Sequence, residues 1–148
     1  MFCARQKEMD TLDALYASQK FEFAVIYGRR RVGKTTLINH FCKNKNAIFF
    51  TGVETSSGDN LDFFSKSIFE NTKTPSATFN SFDALLEYFD TAAQKERLVL
   101  VIDEYPYLAK SEPSFPSLLQ KHIDHKWKNS KIFLILCGSS LSFMEKQV

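Results

Sequence analysis

A doubly wound α/β sheet is expected from three features of this chain. Two runs, Leu98-Val99-Leu100-Val101-Ile102 and Ile132 to Cys137, are apolar at every position. A strand without alternation is buried on both faces, as in a parallel sheet covered by helices. Amphipathic segments with helical spacing lie between the strand-like runs, an order that parallel sheets with crossover helices produce. The chain has 148 residues, 44% of them hydrophobic, enough for one packed domain and too few for two.

Residues 5–18 place Met9, Leu12, Leu15 and Tyr16 on one face and predict a helix. Residues 21–27 predict a strand, and Gly28 to Gly33 breaks the pattern. Residues 34–44 put Leu37, Ile38, Phe41 and Cys42 on one helical face. A short strand over 47–51 follows, then a loop over 52–58 marked by Gly52, Ser56, Ser57 and Gly58. A helix over 59–71 buries Leu61, Phe64 and Ile68. A second loop, 72–80, contains Pro75. The helix over 81–95 shows Phe82, Leu85, Leu86 and Phe89 at i, i+3, i+4, i+7, with Asn80 or Ser81 as N-cap. After the strand 98–102, residues 106–116 carry Pro106, Pro113 and Pro116 and read mostly as loop. A helix over 117–127 then turns Leu118, Leu119, Ile123 and Trp127 inward, and the strand 132–137 follows.

Charge and cysteine usage narrow the function classes. The net charge of +2 hides a basic segment, because residues 29–46 hold six cations (Arg29, Arg30, Arg31, Lys34, Lys43, Lys45) and no acid. Such a segment suits phosphate, of a nucleotide or of a nucleic acid. The longest apolar run, Ile132 to Cys137, is far short of the ~20 residues of a membrane-spanning helix. The start, Met-Phe-Cys-Ala-Arg, is charged at once, unlike a secretory signal. Cys3, Cys42 and Cys137 are odd in number and lack metal-like spacing, so a reducing cytoplasm is the expected location.

The residues Gly28-Arg29-Arg30-Arg31-Val32-Gly33-Lys34-Thr35 fit G-x-x-x-x-G-K-[ST] between a predicted strand and a predicted helix. A shuffled chain of this composition would show the pattern about once in 400. The chemistry requires that context. Glycines let successive N–H groups curl into an anion nest, and the helix start adds the positive end of its dipole. Lys34 then reaches the β- and γ-phosphates, and the Thr35 hydroxyl ligates Mg²⁺, with Thr36 beside it. Asp103-Glu104 ends a buried strand, and ligands of open α/β sheets bind beyond the carboxyl ends of the strands. Asp103 is therefore expected to hold Mg²⁺ through its water shell, and Glu104 to align and polarise an attacking water. A Glu directly after the metal Asp points to hydrolysis, since a phosphotransferase uses its acceptor as the nucleophile. Ser139, at the end of the next buried strand, is a candidate contact for the γ-phosphate, while Ser140 suits a helix cap as well.

The remaining features are weaker. His122 and His125, three apart on one helix, lack an evident third metal ligand. His40 is expected to be partly buried, and Cys137 to be a core residue. Two alternatives to ATP hydrolysis stay open: a nucleic-acid-binding module using the basic 29–46 segment, and a phosphotransferase with a phosphate loop.

The stretch Tyr-Gly-Arg-Arg-Arg-Val-Gly-Lys-Thr-Thr-Leu-Ile resembles the phosphate loop of the archaeal-type ATPases, in the STAND branch of AAA+-like P-loop NTPases. Phe2, Arg5, Glu8 and Leu12 match that family's opening F-x-G-R-x-x-E-x-x-x-L, with Ala4 in place of the usual Gly. Leu98 to Glu104, Tyr105 and Leu108 match its acidic strand end, and Leu136-Cys137-Gly138-Ser139-Ser140 its sensor strand. The resemblance implies an ASCE-type sheet of order 5-1-4-3-2, a Mg–ATP site, and further domains. On that template the chain supplies four strands in the order 1-4-3-2, and residues 1–148 are expected to be an NTPase core that stops before its fifth strand. No arginine lies beyond Arg97, so hydrolysis by the chain alone is expected to be slow. A later segment, a second copy or a partner protein would supply the arginine.

Overall fold

The computed structural model describes residues 6–27, 33–72 and 78–138. Four parallel strands form one sheet: β1 (Glu22–Tyr27), β2 (Ala47–Thr51), β3 (Leu98–Asp103) and β4 (Ile132–Gly138), in the order β1-β4-β3-β2. β3 and β4 hold the centre, and every one of their residues is buried. β1 and β2 flank them, with mixed exposure.

The period-two geometry of strands sends alternate residues to opposite faces. Leu98, Leu100, Ile102, Ile132, Leu134 and Leu136 enter one core, with residues of α3 (Ser57–Thr72), α4 (Phe82–Ala92), α5 (Tyr105–Ser111) and α6 (Phe115–His125). Val99, Val101, Phe133, Ile135 and Cys137 enter the other, with Leu12 of α1 (Gln6–Ala17) and Ile38 and Phe41 of α2 (Lys34–Cys42). The larger core is tied by aromatic rings: Phe50 stacks on Phe64 at 4.4 Å between centroids, and Phe89 meets Trp127 edge-on at 5.9 Å. Full burial of such rings stabilises by roughly 2–3 kcal/mol each.

Local chemistry sets the element ends. Ser81 caps α4 by accepting from the Ala84 N–H at 3.1 Å. The main departure from expectation is the stretch 106–116. It holds all of α5 but its first residue, Tyr105, and the start of α6, each helix with a proline in its first two positions. There the missing N–H costs nothing and the fixed φ favours the helix. The prolines punctuate helix starts, and Tyr105, Leu108 and Ala109 supply a buried face. Trp127 lies past α6, on a 3-10 turn (Trp127–Asn129). His40 is exposed. No helix among the described residues is long and apolar enough to cross a membrane.

Candidate nucleotide site

The parallel register brings all four strand ends to one edge. Thr51 pairs with Asp103, Ile102 with Leu136, and Tyr27 with Gly138. A cleft of about 490 Å³ opens there, lined among others by Lys34, Thr35, Thr51, Asp103, Glu104 and Tyr107.

Lys34 opens α2 directly after Gly33, whose φ of +81° lies in the left-handed region that glycine adopts without cost. The lysine is only 2% exposed. Its Nζ lies 3.3 Å from Asp103 Oδ1 and 3.8 Å from Glu104 Oε1. It has no hydrogen-bond partner among the described residues. A buried ammonium with three donors and two nearby carboxylates is poised for a further anion. The Thr35 hydroxyl donates to Asp103 Oδ2 at 3.4 Å. Hydroxyl and carboxylate oxygens are the hard donors that Mg²⁺ takes, so the residues present fit the ion. Thr36 is exposed on α2. Gly28, Arg29, Arg30, Arg31, Val32 and Ser139 lie outside the described residues.

Glu104 follows β3 with φ 50° and ψ 43°. A non-glycine residue in this left-handed region costs on the order of 1–2 kcal/mol, and such residues cluster at functional sites. Its N–H donates to Asp103 Oδ1 at 2.9 Å, and its carbonyl accepts from the Tyr107 N–H at 3.1 Å. The kink starts α5 and keeps the Glu104 carboxylate at the cleft beside Lys34.

Thr51, Glu54 and Tyr107 also line the cleft but carry no motif. Only their place at or just beyond the ends of β2 and β3, at the edge where ligands bind, could have marked them.

Other candidates are held elsewhere. His122 presents Nδ1 to Asp90 at 3.0 Å and Nε2 to Asp83 at 2.8 Å, and Trp127 Nε1 donates to Asp90 at 2.7 Å. Both ring nitrogens tie α6 to α4, and His125 is exposed. No cluster of three or more metal-ligating side chains occurs among the described residues. Within the basic segment Lys45 turns inward as well as Lys34, donating to the Phe41 carbonyl at 2.7 Å over the Tyr16 and Phe41 rings.

A parallel sheet with a phosphate-loop sequence between β1 and α2, and an acidic pair at the end of β3, defines a P-loop nucleotide-binding domain. Residues 2–148 match the ATPase domain found predominantly in Archaea, and the chain belongs to that family. It is 38% identical over 148 residues to the MJECL04 protein of Methanocaldococcus jannaschii, covering all of this chain and 32% of that protein. The fold is similar to that of the Walker-type ATPase PABY2304 of Pyrococcus abyssi, with TM-score 0.71 at 15% identity over 97% of this chain and 47% of that one. It is also similar to the ORC2 protein of Aeropyrum pernix, with TM-score 0.65 at 19% identity over 97% of this chain and 44% of that one. The chain thus spans about a third to a half of the length of these proteins.

Proposed function

We propose that the chain binds Mg–ATP at this edge of the sheet and hydrolyses it. The observation that carries the proposal is Lys34: an ammonium 2% exposed, without a hydrogen-bond partner among the described residues, between two carboxylates in an open cleft. Phosphate oxygens would give its three donors hydrogen bonds that no described residue supplies. Gly28 to Gly33 would wrap the phosphates with main-chain N–H groups, and Arg29, Arg30 and Arg31 would add charge around them. Mg²⁺, when bound by Thr35 and through water by Asp103, supplies neutralisation of the β- and γ-phosphate charge. Glu104 orients the attacking water and accepts its proton. Lys34 stabilises charge on the transferred phosphoryl group, and Ser139 contacts the γ-phosphate.

Titration with fluorescent ATP and GTP, with and without Mg²⁺, tests the proposal. Lys34→Ala should weaken ATP binding at least tenfold with the fold retained, since a charge-assisted contact contributes roughly 1.5–3 kcal/mol. A folded Lys34→Ala variant that binds ATP as tightly as the parent would overturn it.

A further inference from the structure

Glu104 holds a left-handed backbone, fixed locally by its N–H bond to Asp103 Oδ1 and by the Tyr107 N–H bond to its carbonyl, and a neighbour in space bears on the same peptide. That neighbour is the loop after β2. The Gly52 N–H donates to the Asp103 carbonyl at 2.8 Å, extending the β2–β3 pairing by one step. A Cβ at residue 52 would lie 2.7 Å from the Glu104 carbonyl oxygen and 3.2 Å from the Leu108 N. Both are backbone atoms, so neither yields by a change of rotamer. The loop main chain is therefore seated directly on the Glu104 peptide.

The loop is itself clamped. Asn60, fully buried, accepts from the Val53 N–H at 3.0 Å and donates to the Val53 carbonyl at 3.0 Å. The same side-chain amide donates to Ser111 Oγ at 3.0 Å, which joins the loop to the end of α5. Glu104 begins that helix. The kink is thus held from both sides: Gly52 bears on it directly, and Asn60 fixes the loop to the helix it starts. Val53 and Glu54, from the same loop, line the cleft.

We infer that Gly52 is a positioning residue for the Glu104 carboxylate, with Asn60 as the clamp that keeps the loop against it. The inference rests on the proposed role of Glu104 in hydrolysis. A side chain at 52 pushes the Glu104 peptide and swings its carboxylate away from the attacking water. Lys34 and Thr35, on α2, stay in place, so nucleotide affinity survives.

Single-turnover hydrolysis and Mg–ATP affinity are measured on the purified chain for the parent, Gly52→Ala, Asn60→Ser, Glu104→Gln and the Gly52→Ala/Glu104→Gln double variant. Gly52→Ala should hydrolyse at least tenfold more slowly at saturating ATP, with its Kd within threefold of the parent's. Asn60→Ser should show a smaller loss of the same kind. In the double variant Gly52→Ala should cost nothing beyond Glu104→Gln, because both act on one group. A Gly52→Ala variant that hydrolyses at the parent rate, or that loses affinity and rate together, overturns the inference. If Gly52→Ala does not fold, Asn60→Ser decides, and a parental rate there overturns it. Hydrolysis by Glu104→Gln at the parent rate would instead remove the proposed role of Glu104 itself.

Discussion

A lysine ammonium taken out of water needs anions around it. Lys34 has Asp103 at 3.3 Å and Glu104 at 3.8 Å. Asp103 serves three groups at once, since it also accepts from the Thr35 hydroxyl and the Glu104 N–H. Its proposed role toward ATP runs through the metal, which separates it from Lys34. Asp103→Asn should weaken ATP binding roughly tenfold or more in Mg²⁺ and leave it unchanged in EDTA. An equal loss in both would make Asp103 structural. The thiols give a second expectation. Burial pushes Cys42 up to about 11, against a smaller opposing effect of Lys45. Burial, with the Asp103 charge second, pushes Cys137 up to about 12. The thiolate is the reactive form, so at pH 8 iodoacetamide should label both at least about tenfold more slowly in the native chain than in urea. Peptide mass spectrometry reads the ratio, and fast native labelling would contradict the burial. Lys34, Thr35, Asp103 and Glu104 were legible as residues because each sits in a motif with a mechanism. The contacts of Gly52, Asn60 and Tyr107 were not, because they form only once separate elements meet.

Proline misled the sequence at the level of elements, where Pro106 and Pro116 open helices that their cluster with Pro113 made look like loop. Helices with strong periodicity, such as α4, were legible to within a few residues. The docking of α1 was not. This helix buries Leu12 fully and packs Met9, Leu15 and Tyr16 partly against the same core. Arg97, just before β3 and 6% exposed, adds a polar anchor that periodicity could not mark. It donates to the carbonyls of Leu15 at 2.8 Å and Tyr16 at 3.2 Å in the last turn of α1, to Lys131 at 3.0 Å, and to Lys20. The guanidinium meets carbonyls at the negative end of the helix dipole, where Leu15 and Tyr16 also accept from Ser18 and Gln19 in the turn that follows. Its planar fork is what reaches several carbonyls together. Arg97→Met should therefore cost about 2–4 kcal/mol by urea unfolding, and Arg97→Lys most of that. A change under about 0.5 kcal/mol would show that α1 does not depend on this anchor.

The order of the sheet follows from burial across the whole molecule. The two strands buried at every position, β3 and β4, take the centre, and β1 and β2, with exposed residues such as Phe23 and Thr51, lie outside them. That much was legible in the chain. The placing of β1 beside β4 was not, and came from the family resemblance, because periodicity carries no information on which neighbour an outer strand chooses. The same arrangement bears on rate. An arginine aimed at the γ-phosphate accelerates P-loop hydrolysis by 10³–10⁵. The chain has five arginines. Arg97 precedes the strand that Asp103 ends, about 20 Å away along β3, and its guanidinium is occupied by main-chain carbonyls. Arg5 precedes α1, and Arg29, Arg30 and Arg31 lie in the phosphate loop, where the main chain is proposed to cradle the β-phosphate. We therefore expect the 148-residue chain to bind ATP with ordinary affinity and to hydrolyse it slowly. An arginine supplied from outside these 148 residues, for instance by a second copy or a partner protein, would then raise the rate. The measurement is single-turnover hydrolysis by this chain and by a longer protein that carries the same domain, with Glu104→Gln as the inactive control. The longer protein should be faster by two orders of magnitude or more, the low end of what an arginine contributes. Dependence of its rate on protein concentration would mark a second copy as the source. Equal rates for the two would show that the 148 residues already contain all the charge the reaction uses.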